Sequence, residues 1–316
     1  MAARSSGNAS QLSMRNPSPK LSVGVPVFNG EQFLAEALDS VLAQTFQDFE
    51  VIISDNASTD GTEQICRSYT ERDSRIRYYR SDINRGAAWN HNRVFELARG
   101  DYFKWLSHDD LCAPEFLERC VAVLDSDPGI VLCFARTQVV DAQCQPLTKF
   151  DVPPMTRIDS PHPYQRFHGV ICPNHWCFEI YGVCRTAVLR QTSLIADNHT
   201  GSDRTLLADL ALRGRFYGIP ACLLFNRDHQ SRSIRIYSPY TVGAWFNPRL
   251  KGKIRLPYWR RLLEYTKMVS RCELSWWERL CCYAQLLPYC CRKSANLAMD
   301  IGFAVKPLLR RISESG

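Results

Sequence analysis

From residue 21 to residue 134 the chain alternates between short, β-branched apolar runs and stretches of helical periodicity. The apolar runs lie at 21–28, 49–54, 76–79, 102–106 and 130–134, with helical stretches at 29–42, 60–70, 87–98 and 114–124 between them. An apolar run with no polar face must be covered on both sides, and an intervening helix returns the chain in the same direction. The pattern predicts an α/β fold, a doubly wound and mostly parallel sheet flanked by helices, with ligands at the carboxyl ends of its strands. Asn29, with Gln32 three residues on, reads as a capping-box-like start for the first helix. Beyond about residue 140 the alternation fails. Residues 151–168 read as an irregular excursion, 180–183 and 215–226 as further strands, and 203–212 as a helix.

A chain of 316 residues, 45% hydrophobic and 22% charged, buries a core without staples. Its 14 cysteines are scattered with no CxxC pair, which predicts reduced core thiols. The first 19 residues contain no apolar stretch and read as a frayed leader, so the expected location is cytoplasmic. The 39 basic and 32 acidic residues are unevenly placed: 14 basic against 5 acidic fall after Asn247, leaving a slightly acidic body. That distribution argues against a nucleic-acid binder. The tail, with Trp259, Trp276 and Trp277, reads as amphipathic and helical, either a lid or a peripheral contact with the inner face of the cytoplasmic membrane. The expected organisation is a leader (1–19), a catalytic unit (20–240, with a nucleotide half at 20–135 and an acceptor half at 136–240) and the basic helical region (241–316).

The carboxyl-end rule singles out the loops after Phe28, Ser54 and Leu106. The last two carry Asp55 with Asp60, and Asp109 with Asp110. With no GxxxxGK[ST] and no GxGxxG, such a site would handle phosphate through a hard cation, Mg2+ or Mn2+, held by carboxylates. The competing reading makes Asp109 and Asp110 caps of the following helix.

The string VPVFNGEQFLAEALDSVLAQTFQDFEVIISDNASTDGT, followed by NRGAAWNHN, ARGDYFKWLSHDD and APEFLE, resembles the nucleotide-sugar domain of family 2 glycosyltransferases, which have the GT-A fold. The likeness extends over roughly residues 20 to 235. It implies that Pro26, Phe28 and Asn29 form the first-strand motif, with Phe28 bordering the base and ribose. By the same likeness Asp55 meets the nucleobase, Asp60 closes its loop onto a helix, and Asn84, Gly86 and Asn92 form the third-strand motif, with Arg85 facing the diphosphate. SHDD departs from the usual Asp-x-Asp pattern because Ser107 replaces the first carboxylate. Asp109 is the metal ligand that transfers, while the ribose contact falls to Ser107, His108 or water. GSDRTLLADLALRGRF implies Asp203 as general base, with Asp209 a weaker alternative. NRDHQSRS implies His229 as a metal ligand and Arg232 and Arg235 as phosphate contacts. Asn174, His175 and Trp176 fall where acceptors lie.

The function so implied is an inverting glycosyltransferase that moves a sugar from a nucleoside-diphosphate sugar to a glycan or lipid-linked hydroxyl. Its rivals are a non-catalytic binder on the same fold and a sugar-phosphate nucleotidyltransferase. The latter is disfavoured by the lack of a glycine-rich basic loop after the first strand.

Overall fold

A computed structural model describes residues 18–147, 155–196, 201–230, 232, 243–250 and 256–314. The leader up to residue 17 and Arg235 lie outside the described residues. Eight strands form one sheet: β1 (Leu21–Val27), β2 (Phe49–Asp55), β3 (Ile76–Arg80), β4 (Tyr102–Trp105), β5 (Leu111–Cys112), β6 (Ile130–Val140), β7 (Val183–Arg185) and β8 (Arg215–Arg227). Their order is β3-β2-β1-β4-β7-β6-β8-β5. Strands β1 to β4 pair in parallel and β6 is parallel to β8, but β7 runs antiparallel to both β4 and β6, and β5 antiparallel to β8. The mostly parallel sheet is therefore as expected, except that β6 is not the next parallel neighbour of β4. A three-residue reversed strand separates them.

Alternation along each strand feeds two cores. Val23, Val25, Val51 and Ile53 face α1 (Leu34–Leu42), α2 (Thr62–Arg72) and α4 (Phe116–Ser126). Ile52, Phe103 and Trp105 face the other core, with α3 (Ala87–Glu96), α5 (Pro163–Ile171) and α7 (Ser202–Arg213). Gly24 is required where α3 crosses β1, because a Cβ there would collide with Val94 and Phe103. The short α6 spans Thr186–Leu189.

The first helix begins at Leu34 and not at Asn29. Asn29 sits at φ 51, and its Oδ1 accepts the Thr59 backbone N–H at 2.9 Å. A side chain so engaged, on a left-handed backbone, cannot cap its own helix. It ties the loop after β1 to the loop after β2.

The C-terminal helices α8 (Pro257–Arg271), α9 (Trp276–Ala284), α10 (Leu286–Arg292) and α11 (Ser294–Glu314) do not build a core of their own. Tyr265, Met268, Val269, Cys272, Cys282 and Tyr289 complete the core beneath α5 and α7. A buried carboxylate fastens them. Asp209 accepts Arg213 Nε at 3.0 Å from its own helix and Arg271 Nη2 at 2.7 Å from the end of α8. Among the described residues no helix is long and apolar enough to cross a membrane, and all 14 cysteines are free thiols, nine of them buried.

Replacing Asp209 by Ala strands two guanidiniums, one nearly buried, and should cost about 3 kcal/mol. A denaturant titration of D209A read by far-UV circular dichroism checks this; an unchanged midpoint would mean that α8 is held by its apolar face alone.

Candidate active site

The carboxyl ends of β1 and β4 part company, and one residue makes this possible. Gly24 O accepts from Leu106 N on the β4 side, whereas Val27 O accepts from Asn56 N on the β2 side. Pro26, two residues past Gly24, therefore turns the N–H it lacks toward β4, beyond the last paired residue. No ladder hydrogen bond is lost, and a crevice opens at the point where strand order reverses.

The loops around this crevice are held by short polar side chains. Asn56 is buried; its Nδ2 donates to Asn84 Oδ1 at 3.0 Å and Gly86 O at 3.2 Å, and its Oδ1 accepts Arg85 N. Asn90 Nδ2 donates to Val27 O and Ser54 O, clamping the ends of β1 and β2, while its Oδ1 is buried with no partner. Asp60 accepts Thr62 N and Oγ1 at the start of α2 and Glu31 N from the first loop. Burial opposes the charge on Asp60, but these bonds outweigh it and hold the carboxyl below its ordinary value.

Asp55 ends β2 with no exposed surface; one oxygen takes Ser58 N at 2.8 Å, the other Tyr78 OH at 2.9 Å and Arg80 Nη1 at 2.5 Å. Phe28 stands exposed at the end of β1. Arg85 lies over the Trp89 ring at 5.1 Å, in an open cavity of about 390 Å³ lined also by Tyr79, Arg80, Asp82 and Arg93. That cavity is at the sheet edge and includes none of Asp55, Asp109 or Asp203. Asn92 faces away from the loops and instead exchanges two hydrogen bonds with the backbone of Ile195.

The strongest convergence joins the loop after β4 to the end of β8. Asp109 Oδ2 meets His229 Nε2 at 2.9 Å, although 120 residues separate them. Asp110 is buried and accepts Asn226 Nδ2 at 3.0 Å and Arg227 N at 2.9 Å; Asn226 Oδ1 in turn accepts Arg232 Nη2 at 2.6 Å. Neither aspartate caps α4, whose N-cap is Glu115. Burial alone would raise the Asp109 carboxyl, but the His229 bond and the charges of His108 and Arg232 hold it low. Asp110 goes the other way: burial first, then the adjacent Asp109 charge, push it up to about 7. Ser107 Oγ donates to Tyr181 OH at 3.0 Å, and His108 packs against Gly30.

A divalent cation fits this arrangement as a partly open shell. Asp109 offers a carboxylate held in its charged form, and His229 Nε2 stands 2.9 Å from it, so both can face one cation. Among the described residues no three His, Cys, Asp or Glu side chains cluster into a full set of ligands, so substrate oxygens and water would supply the rest.

On the far side of the crevice, Asp203 lies in the first turn of α7, after Gly201 at φ 77. Asp203 Oδ1 accepts Arg204 N at 2.7 Å and Arg261 is in electrostatic reach, while the Arg204 guanidinium points to Val170 O, Pro173 O and His175 O. Those bonds brace the 172–178 turn, where Trp176 lies parallel to Phe178 at 6.4 Å. His91, on α3, is in electrostatic reach of both His108 and Asp203, and burial lowers its pKa.

Residues 22–185 match the family model described as glycosyl transferase family 2, more than half of the chain. The chain belongs to glycosyltransferase family 2. Relatives include a glycosyltransferase of Rickettsia typhi, itself uncharacterized, 35% identical over 131 residues that cover 41% of this chain and 40% of that protein. Glycosyltransferase GlyG of Streptococcus pneumoniae is 31% identical over 113 residues, covering 35% of this chain and 38% of GlyG. The match thus spans about two fifths of these relatives' length. Among solved structures, S. aureus TarS 1–349 in complex with UDP superposes with a TM-score of 0.65 at 16% identity, over 92% of this chain and 78% of that one. The mannosyltransferase PcManGT from Pyrobaculum calidifontis, in complex with GDP-Man and Mn2+, gives 0.52 at 17%, over 93% and 88%. The chain therefore has the GT-A fold.

Substituting Asn226 by Leu would leave the buried Asp110 carboxylate and Arg232 without their shared partner, a loss of about 2 to 3 kcal/mol. Thermal melting of N226L should fall by several degrees; an unchanged melting temperature would mean that the bridge is dispensable for folding.

Proposed function

We infer that this glycosyltransferase moves a sugar from a nucleoside-diphosphate sugar to a glycan or lipid-linked hydroxyl, inverting the anomeric centre. The meeting of Asp109 with His229 beside Arg232 carries this reading. It draws support from solved structures of the same fold in complex with UDP, with UDP-GlcNAc, or with GDP-Man and Mn2+.

For the proposed reaction, Asp109 and His229 would hold Mg2+ or Mn2+, which would neutralise charge on the departing diphosphate. Arg232, oriented by Asn226, supplies a second positive group on that side. Phe28 and Asn29 border the nucleoside at the mouth of the crevice, with Pro26 opening it. Asp55 reaches the base only as part of its network with Tyr78 and Arg80. Asn84 and Arg85 are the loop beside the diphosphate, and Ser107 and His108 face the ribose. Asp203 takes the acceptor hydroxyl proton as that oxygen bonds to the anomeric carbon and the bond to diphosphate breaks. The electron pair leaves with the nucleotide, so attack from the opposite face inverts configuration. Trp176 is the acceptor platform, because an aromatic face suits the C–H face of a sugar.

Two measurements test this. UDP, GDP, dTDP and CMP are each added with and without Mn2+ while melting temperature is followed; one diphosphate near a hundredfold excess over its Kd should stabilise by about 2.7 kcal/mol. Asp109→Asn should remove the Mn2+-dependent part. No shift with any nucleotide would favour a non-catalytic protein on this fold. Asp203→Asn should retain the nucleotide shift and lose transfer by about a hundredfold or more; normal turnover would eliminate Asp203 as base.

A further inference from the structure

The C-terminal helices carry an outward surface that is not adapted to water. Helices α9 and α10 meet at Gln285, itself in helical conformation, so their residues keep nearly one register. Cys282 and Tyr289 face the core. The opposite side is Trp276, Trp277, Leu280, Ala284 and Leu287, at helical spacing and without one charge. Trp276 is 77% exposed, Leu287 70%, Trp277 57% and Leu280 54%. A surface helix normally turns polar residues outward; here both sides are apolar.

Helix α11 repeats the pattern. Leu297 and Asp300 turn inward, with Asp300 Oδ2 accepting Tyr258 N and Trp259 N at the start of α8. The sole charge between Ser294 and Val305 is thus spent inside, and Met299, Ile301, Phe303 and Val305 are exposed. The remainder of that helix carries Lys306, Arg310 and Arg311.

We propose that α9, α10 and α11 form a docking surface for the face of an anionic lipid bilayer, resting on the proposed function in that it brings the crevice to a lipid-linked acceptor. Charge decides the occupant. The region after Asn247 holds 14 basic and 5 acidic residues while the rest of the chain is slightly acidic, so an anionic surface attracts this end and repels the body. Trp276 and Trp277 suit the headgroup boundary, where an indole keeps its N–H in water and its ring in the acyl layer. Because α8 to α10 share the core under α7, whose first turn bears Asp203, and Asp300 ties α11 to α8, a protein lying on this surface holds its acceptor side at a fixed height above the lipid.

The test is flotation of the full chain with phosphatidylcholine vesicles and with phosphatidylcholine–phosphatidylglycerol vesicles. The wild type should float with the anionic vesicles, less with the neutral ones, and less again as salt rises. The variant W276S/W277S/L280S should bind anionic vesicles about tenfold more weakly or worse, with its melting temperature and its nucleotide-induced shift unchanged. A second variant, M299S/F303S, should show the same loss. A wild type that stays unbound to both vesicles would overturn the proposal, as would equal flotation of the variants. So would a wild-type dimer by light scattering that the variants dissolve, since a second copy would then cover the patch. Flotation without any nucleotide shift would instead leave the lipid surface standing and remove the sugar-transfer reading.

Discussion

One buried carboxylate sets the geometry on which the site depends. Asp110 is buried beside Asp109, and its oxygens are satisfied by Asn226 Nδ2 and the Arg227 backbone N–H. Those donors belong to β8, 116 residues away. The bond pins the loop after β4 to the far half of the sheet. Everything placed between them follows: Asp109 against His229, Arg232 on Asn226, and Ser107 on Tyr181. A loop free to choose its own conformation would have no reason to present a carboxylate to an imidazole.

The strands were legible because parallel strands covered on both faces leave uninterrupted β-branched runs. The reversal at β7 was not, since three residues of strand carry no periodicity and its direction is fixed by a long excursion. Asp109 stood out as a carboxylate at a loop end; Asp203 rested on the likeness to the family, and so did His229, because no spacing in a chain brings residues 109 and 229 together. The side chains missed altogether were Asn56, Asn90, His91 and Asn226. Each is a short polar group in a buried position, and what it grips is mostly backbone or a neighbour from another loop. Composition and periodicity record which side chains are apolar, not which amide will find a distant carbonyl. The first helix illustrates the same limit: Asn29 has the chemistry of a cap, and tertiary contact with Thr59 claims it.

The two faces of the sheet are built differently. One is covered by α1, α2 and α4, all from the first half of the chain. The other is closed by α3, α5 and α7 and then by α8 to α10, so that residues as late as Tyr289 finish a core begun at Ile52. Asp209 marks the seam, with its negative charge shared between its own helix and Arg271. Asp203 and the turn braced by Arg204 lie at the other end of the same helix.

The ladder between β6 and β8 joins residues 130–140 to 215–227, and β5 pairs only with β8. Loop-closure entropy makes such pairings late events in folding. During synthesis from the N-terminus, β1 to β4 can pair as soon as they emerge, whereas β5 and most of β6 wait for β8. The half of the crevice formed by β1 to β3 is thus in place while the Asp109 loop still lacks the strand that pins it. A nascent chain stalled before residue 215 would expose the unpaired edge of β6, a template for wrong partners in a crowded cell. Completion of β8 is the step that both retires that hazard and assembles the carboxylate end of the site.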